Sequence, residues 1–252
     1  FLKSFVNLTF ETHCEMKQIV EFQDLGINRD YQEIWDYQES LLAENIAVKQ
    51  YNRAQEKEGS TDFKKTKNHL LFVEHPHVYT LGKSGHLENM LASSDKLNEI
   101  NATFVKTNRG GDITYHGPQQ LVGYPIMDLD NFKPDIHLYM RNLEEVIIKT
   151  IGEYGLQGVR SQGETGVWLD VGRPFARKIC AMGVKASRWV TMHGFALNVN
   201  TDLRYFEYIV PCGIQDKAVA SLERELGHQV DMNELKEFTK KHFTEVFDVE
   251  FK

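Results

Sequence analysis

Apolar and polar positions along the chain follow two spacings, one typical of strands and one typical of helices. Short apolar or alternating runs, bounded by glycine, proline or polar turns, predict strands. These runs lie at 17–22, 70–73, 78–82, 103–106, 121–127, 166–170, about 177–185 and about 190–199. They come in groups, separated by a few longer segments with helical spacing.

Those longer segments carry signals of helix ends. Asp30, with a glutamate three residues later, is typical of a helix N-terminus, and the apolar residues after it recur on one face. A second helix is predicted over 138–154 with Gly155 as its stop, and a third begins after Asp231. The polar, lysine-rich segment 56–68 is predicted to be a solvated loop.

Strand runs mixed with a few helices predict an α/β or α+β fold, a mixed β-sheet flanked by helices in a single domain. The pattern is also compatible with a small C-terminal subdomain after about residue 212. The apolar start is interrupted by Lys3 and Asn7 and lacks a small-residue cleavage site. We therefore expect an N-terminal extension at 1–15, non-native or poorly ordered, rather than a signal peptide. The working domain is expected at 16–252.

Composition narrows the classes of function. A net charge of −7 and a pI of about 5.8 argue against a nucleic-acid-binding protein. The sequence has no run of about 18 apolar residues, so no membrane span is expected. The cysteines at 14, 180 and 212 form no CxxC pair and no zinc-ligand spacing. Such a sparse, odd count is typical of the reducing cytoplasm.

Cys212 is the first candidate for chemistry. It stands between Pro211 and Gly213 with no second cysteine nearby. Proline restricts the backbone on one side and glycine permits close approach on the other, so the thiol is a candidate nucleophile. The alternative is a small apolar residue in a core turn, since free cysteines are often buried.

The run Arg109-Gly110-Gly111-Asp112 is the second candidate. Two glycines let backbone N–H groups face a ligand oxygen, and the arginine suits an anionic or carbonyl group. A Gly-Gly hairpin turn is the alternative. Shortly after, His116 is a candidate proton shuttle or ligand-orienting donor, or a structural histidine. No second ligand lies at metal spacing, so a metal is not expected.

Two later runs can each be interpreted as part of a functional site or as ordinary structure. Lys178 heads an apolar run that ends at Gly183. Partial burial could make its amine a base, although a lysine at a strand end also commonly reaches water. Gly194 and Ala196 alternate with bulky residues, which leaves room either for an acyl chain or for close packing. Cys180 is assigned to the core.

Charge is unevenly distributed along the chain. Between Asp170 and Asp202 the sequence contains basic residues but no acidic ones. This stretch predicts a local positive patch, which would stabilise a thiolate and attract an acidic partner. The alternative is one solvated basic edge.

Together these motifs resemble the octanoyl-[acyl carrier protein]:protein N-octanoyltransferase family, also called the lipoate–protein ligase B family. The matching runs are Glu74-His75-Pro76, Tyr79-Thr80-Leu81-Gly82, Arg109-Gly110-Gly111, Thr114-Tyr115-His116-Gly117-Pro118, Arg177-Lys178-Ile179 with Gly183, His193-Gly194-Phe195-Ala196-Leu197-Asn198 and Pro211-Cys212-Gly213. They occur in the family's order from about residue 17 to 230. The resemblance implies the mixed-sheet fold of biotin and lipoate ligases.

The resemblance also implies an acyltransferase of protein lipoylation. Cys212 would take the octanoyl group from octanoyl-acyl carrier protein as a thioester, and Lys178 would lower the pKa of that thiol and shuttle protons. The group would pass to a lysine of a lipoyl domain, in the E2 subunits of 2-oxoacid dehydrogenases or the H protein of glycine cleavage. No metal or nucleotide is implied, because the octanoyl group arrives on the phosphopantetheine of its donor. The implied acyl-site residues are Arg109, Gly110, Gly111, Asp112, Ile113, Thr114, Tyr115, His116, Ala181, Met182, Gly183, Gly194, Phe195 and Ala196.

The chain departs from the family pattern at Asp112, Cys180 and Met182 and in the lysine-rich segment 56–68. These departures bear on pocket shape and on preference for acyl length.

Three alternatives stay open on sequence grounds. An ATP-dependent lipoate or biotin ligase on the same fold would form an acyl-adenylate with Mg²⁺ and would not need Cys212. A cysteine thioesterase would pass the acyl group to water, with His116 as a candidate base. A non-catalytic protein that recognises lipoyl domains would need neither Cys212 nor Lys178.

Overall fold

The computed structural model describes residues 17–210 and 218–252, and its strands come in groups that are separated by helices. The strands are β1 (Gln18–Asp24), β2 (Asn68–Val73), β3 (Val78–Leu81), β4 (Thr103–Lys106), β5 (Ile113–His116), β6 (Gln120–Ile126), β7 (Val159–Ser161), β8 (Glu164–Leu169), β9 (Arg177–Ser187), β10 (Val190–Asn198), β11 (Ala218–Val219) and β12 (Val249–Phe251). The helices are α1 (Tyr31–Lys57), α2 (Ser94–Glu99), α3 (Ile136–Gly152), α4 (Leu222–Leu226) and α5 (Met232–Phe247). The predicted strand runs and the three predicted helices are all present.

Within the described residues, nine strands form one mixed sheet in the order β12-β1-β2-β6-β10-β9-β8-β7, with β11 beside β9. β1 is parallel to both β12 and β2, while β6, β10, β9 and β8 pair antiparallel. The predicted mixed sheet flanked by helices is confirmed.

The central strands are buried on both faces, which explains why residues 70–73 of β2 form a continuous apolar run. Leu70 and Phe72 pack into a core with α3 and α5 on one side of the sheet. Leu71 and Val73 pack against α1 on the other side. Successive side chains of β2 point to opposite faces of the sheet, so this one strand contributes apolar residues to both cores.

A second, three-stranded sheet is formed by β4-β3-β5. Its own core is aromatic and contains Tyr79, Tyr115 and Phe206. β4 and β5 both flank β3 and do not pair with each other, so the loop 107–112 crosses from one edge of this sheet to the other. That crossing carries the Arg109-Gly110-Gly111 run.

The lysine-rich segment is shorter as a loop than predicted, because α1 continues to Lys57. The remainder lies along this helix. Asn45 Oδ1 accepts the backbone N–H of Lys67 (2.8 Å), and Asn52 Oδ1 accepts that of Lys64 (2.8 Å). Tertiary hydrogen bonds thus order a stretch that composition alone assigned to solvent.

The C-terminal elements belong to the main body. β12 pairs with β1, and Leu235 and Phe243 of α5 are buried in the same core as α3. The described part after residue 217 is therefore not a separate subdomain; the smaller unit is the sheet of β3, β4 and β5. No helix in the two described ranges has the length and apolar character needed to cross a membrane. The predicted extension at 1–15 lies outside the described residues.

Candidate active site

A cavity of about 1010 Å³ opens where β9 and β10 face the small sheet and the start of α3. Most of the residues implied by the motifs line it, although they come from distant parts of the chain. They are Arg109, Gly110, Gly111, Asp112, Ile113, Thr114, His116, Lys178, Ala181, Met182, Gly183, Gly194, Phe195 and Ala196. Cys212 lies outside the described residues, and Tyr115 does not line the cavity.

The Arg109 loop is held rigidly against both sheets. The Arg109 side chain is 7% exposed and donates from Nη2 to Thr80 O (2.7 Å) and Thr80 Oγ1 (2.9 Å). The N–H of Gly110 donates to Val184 O of β9 (2.9 Å). Gly111 has φ +87°, a left-handed conformation that favours glycine. The pair is thus part of a crossover loop rather than a two-residue hairpin turn.

Close backbone approach explains three glycines around this loop. A Cβ at Gly82 would lie 2.2 Å from Gly111 O, and a Cβ at Gly183 would lie 2.7 Å from Gly110 O. In β10, a Cβ at Gly194 would lie 2.1 Å from the carbonyl oxygen of Gly123. Gly194 is therefore closely packed, one of its two interpretations, and Gly183 and Gly194 also line the cavity.

Asp112 connects the Arg109 loop to His86 and Asn89, which also line the cavity. Its carboxylate accepts from Asn89 Nδ2 (2.7 Å) and from the backbone N–H groups of His86 (3.3 Å) and Ile113 (2.7 Å). The acidic residue that departs from the family pattern thus acts as a hydrogen-bond acceptor that orders the rim.

His116 is a neutral, fully engaged side chain. Gln120 donates its amide N–H to Asn198 Oδ1 (2.8 Å), so its oxygen accepts from His116 Nδ1 (2.9 Å). His116 Nε2 then accepts from Thr80 Oγ1 (3.4 Å). Burial, followed by the charges of His75 and Arg109, lowers the pKa of His116 well below its usual value. These bonds suit an orienting residue better than a proton shuttle near neutral pH.

Tyr115 faces away from the cavity, unlike its neighbours Thr114 and His116. Successive strand residues point to opposite faces, so Thr114 and His116 line the cavity while Tyr115 enters the aromatic core of the small sheet. Its ring stacks on Tyr205 with centroids 5.1 Å apart, and its hydroxyl bonds His77 Nδ1 (2.7 Å). The expectation that it lines the acyl site is corrected for this reason.

Lys178 lines the cavity from the start of β9, whereas the Arg109 loop contacts the same strand further along, at Val184. Its Nζ lies 4.6 Å from the centroid of the Trp168 ring, and both residues line the cavity. β11 runs beside this position, pairing Val219 with Lys178. Ala218, the first described residue after 211–217, also lines the cavity.

His193 is a cavity residue that the motif contained but the predicted set omitted. Its Nε2 donates to Asn108 Oδ1 (2.7 Å), because the Asn108 amide N–H donates to Glu39 Oε1 (2.8 Å). Burial, together with the charges of Arg109 and Lys185, lowers the pKa of His193 to about 3. The only local signal was a histidine preceding the small residues of β10; its partners on α1 and in the loop 107–112 are remote in sequence.

Comparisons with known proteins agree with this geometry. The model of the lipoyl protein ligase A/B catalytic domain matches residues 30–244. The chain belongs to this family. An octanoyltransferase of Christiangramia forsetii is 62% identical over 238 residues, 94% of this chain and 99% of that protein. An octanoyltransferase of Bacteroides fragilis is 49% identical over 207 residues, 82% and 89% of the two chains.

A solved structure of a lipoate-protein ligase A bound with ATP has the same fold. It matches with a TM-score of 0.63 at 16% identity and covers 94% of this chain and 87% of its own. The family, the fold and the acyltransferase class that the motifs predicted are confirmed.

The positive patch predicted after Asp170 is largely neutralised by acids from elsewhere in the chain. Arg177 pairs with Glu225 and with Asp170 itself. Lys185 pairs with Glu39 of α1 (2.9 Å). The segment between Asp170 and Asp202 contains no acidic residue, but acidic side chains from other segments lie beside its basic ones in the folded protein.

Proposed function

We propose that this chain transfers an octanoyl group from octanoyl-acyl carrier protein to a lysine of a lipoyl domain, through a thioester on Cys212. The observation that carries the proposal is the shared cavity of Lys178 and the Arg109 loop in a chain whose relatives are octanoyltransferases. Cys212 follows Val210 by two residues, and the Val210 N–H donates to the backbone oxygen of Asn89 (2.8 Å), a cavity residue.

The first half-reaction exchanges one thioester for another. The Cys212 thiolate attacks the octanoyl carbonyl, the carbon–sulfur bond to the phosphopantetheine breaks, and the released thiolate takes a proton from the Lys178 ammonium. In the second half, the acceptor amine attacks the acyl-enzyme and gives a proton back to Lys178, while Cys212 leaves as thiolate. Splitting one transfer into two steps is the usual advantage of a covalent nucleophile. The amide is more stable than the thioester, so the overall transfer needs no ATP.

The size of the cavity suits this sequence of steps. Its volume of about 1010 Å³ lies at the upper end of the roughly 300–1,000 Å³ usual for small-molecule sites. An eight-carbon acyl chain leaves space for part of the donor's arm or for the acceptor lysine. We propose lipoyl domains of 2-oxoacid dehydrogenase E2 subunits and of the glycine cleavage H protein as acceptors, and no metal or nucleotide cofactor.

The decisive experiment is intact-protein mass spectrometry after mixing the protein with octanoyl-acyl carrier protein without ATP. We expect a gain of one octanoyl group that is discharged by a lipoyl domain. Cys212→Ser should show no hydroxylamine-labile thioester adduct, and Cys180→Ala, which removes a buried thiol, should acylate normally. An adduct on a residue other than Cys212 would contradict the mechanism.

The same samples separate the alternatives. Modification of the lipoyl domain only when ATP, Mg²⁺ and free octanoate are supplied would indicate an adenylating ligase. Release of free octanoate at the same rate with and without the lipoyl domain would indicate a thioesterase.

A further inference from the structure

The pairing of β8 with β9 contains an irregularity next to Lys178. Val167 pairs with Cys180, but the next residue, Trp168, pairs with Lys178. Ile179 is therefore an extra residue, and β9 is bulged at this point. Bulges of this kind re-aim side chains and occur often beside active sites.

The bulge decides which way Lys178 faces. In a regular ladder, Trp168 would pair with Ile179, and Lys178 would lie across from Leu169, a residue of the main core. With the extra residue, Ile179 and Cys180 are both buried in that core. Lys178 lies instead across from Trp168, on the face that borders the cavity.

Trp168 supplies the surface on which the ammonium lies. Its side chain is 2% exposed, so its ring has little freedom, and the Lys178 Nζ lies 4.6 Å from the ring centroid. A cation over a tryptophan face is attracted by the ring quadrupole, most strongly where water is excluded. Gly166 keeps the neighbouring strand close, since a Cβ there would lie 2.4 Å from Cys180 O.

We infer that Trp168, aided by the bulge at Ile179, is a positioning residue that holds the Lys178 ammonium in the cavity. The inference rests on the proposed function, because it assigns Lys178 the role of stabilising the Cys212 thiolate. Trp168 itself does not react.

Other charged and titratable groups lie around Lys178. Glu164 of β8 and His137 of α3 line the same cavity. Arg177, next in sequence, is engaged by Asp170 and Glu225, and the paired residues of β11 are not titratable. A substitution of Trp168 leaves all of these charges in place. A shift in the pH midpoint of Cys212 alkylation would therefore be caused by the loss of the tryptophan ring.

The test is the pH dependence of Cys212 alkylation by iodoacetamide, read by peptide mass spectrometry in wild type, Trp168→Phe and Trp168→Leu. We expect the midpoint to rise by roughly 0.5–1.5 pH units in Trp168→Leu. The rise should be smaller in Trp168→Phe, because a phenylalanine ring still attracts the ammonium, but more weakly than tryptophan does. Octanoyl transfer should fall in the same order. Trp189→Leu, which removes an exposed tryptophan from the β9–β10 turn, is the matched control and should leave the midpoint unchanged.

An unchanged midpoint in a folded Trp168→Leu protein, together with a raised midpoint in Lys178→Ala, would overturn the inference and leave the proposed function intact. If Trp168→Leu does not fold, Trp168→Phe decides, because loss of turnover at an unchanged midpoint would mean a merely structural role. Failure of the wild-type protein to form the octanoyl adduct would instead contradict the proposed function.

Discussion

The two sides of the cavity are built by different means. On the Arg109 side, the charged groups are already used within the protein: the arginine binds Thr80, and Asp112 binds Asn89. On the Lys178 side, a register shift and an aromatic ring direct an ammonium group at the cavity. The first side is suited to shaping and orienting, and the second to moving protons and stabilising a thiolate. Four substitutions test this difference between the two parts of the cavity, and they are given in decreasing order of expected effect.

Lys178→Ala should have the largest effect, a loss of transfer rate on the order of 10²–10⁴-fold, the usual contribution of a proton-transfer group. The pH at which Cys212 alkylates should rise, because a nearby cation stabilises the thiolate. Lys149→Ala, which removes a lysine paired on the surface with Glu245, is the control. Full activity of Lys178→Ala would contradict the role of Lys178 in proton transfer and thiolate stabilisation.

Gly82→Ala tests the Arg109 side by displacing its loop. The new Cβ would lie 2.2 Å from the backbone oxygen of Gly111, which cannot move aside as a flexible side chain would. We expect a loss of about 1–3 kcal/mol in the free energy of unfolding, with weaker substrate binding, measured by denaturant titration and KM. Gly152→Ala, at the end of α3 with nothing within 4 Å, should be neutral or slightly stabilising. Equal behaviour of both variants would mean that the loop is not tightly packed.

Acid should destabilise the protein through two buried histidines, of which His193 is bonded to Asn108 beside Arg109. Burial lowers the pKa of His193 to about 3 and that of His75 to about 4. The unfolded chain therefore binds protons more readily, and the free energy of unfolding should fall as pH drops below about 6.5. At pH 5 the loss is about 2 kcal/mol for each histidine.

His193→Gln should flatten this pH dependence in urea titrations at pH 7.5 and pH 5. His228→Gln, on the exposed surface, should not. The same slope in both variants would mean that His193 is not protonated on unfolding in this range.

Cys180→Ala should have the smallest effect. Cys180 is fully buried in the main core, and burial raises the pKa of its thiol. We expect a stability loss of about 1 kcal/mol for the small cavity and near-normal turnover in the octanoyl-transfer assay. A folded but inactive protein would show that the reactive thiol had been misassigned.

Several features of the site were predictable because they depend on local spacing. The apolar run 70–73 was identified as a strand, and the segments around Arg109, Lys178 and Gly194 were grouped by motif; all three now line one cavity. Features that depend on pairing were not predictable. Tyr115 was grouped with its motif although strand alternation turns it away. His193 was omitted because its partner Asn108, which in turn donates to Glu39, lies in another element.

Side-chain periodicity and motif spacing are local properties, so they were sufficient to identify the family, the mixed-sheet fold class and the residue types available for chemistry. Which side chains face the cavity depends on how distant strands pair. One extra residue in β9 turns Lys178 from the core toward Trp168, and acids from distant segments neutralise Arg177 and Lys185. Strand register and ion pairing are set between segments far apart in the chain, and the local sequence of one segment carries no information about its partner.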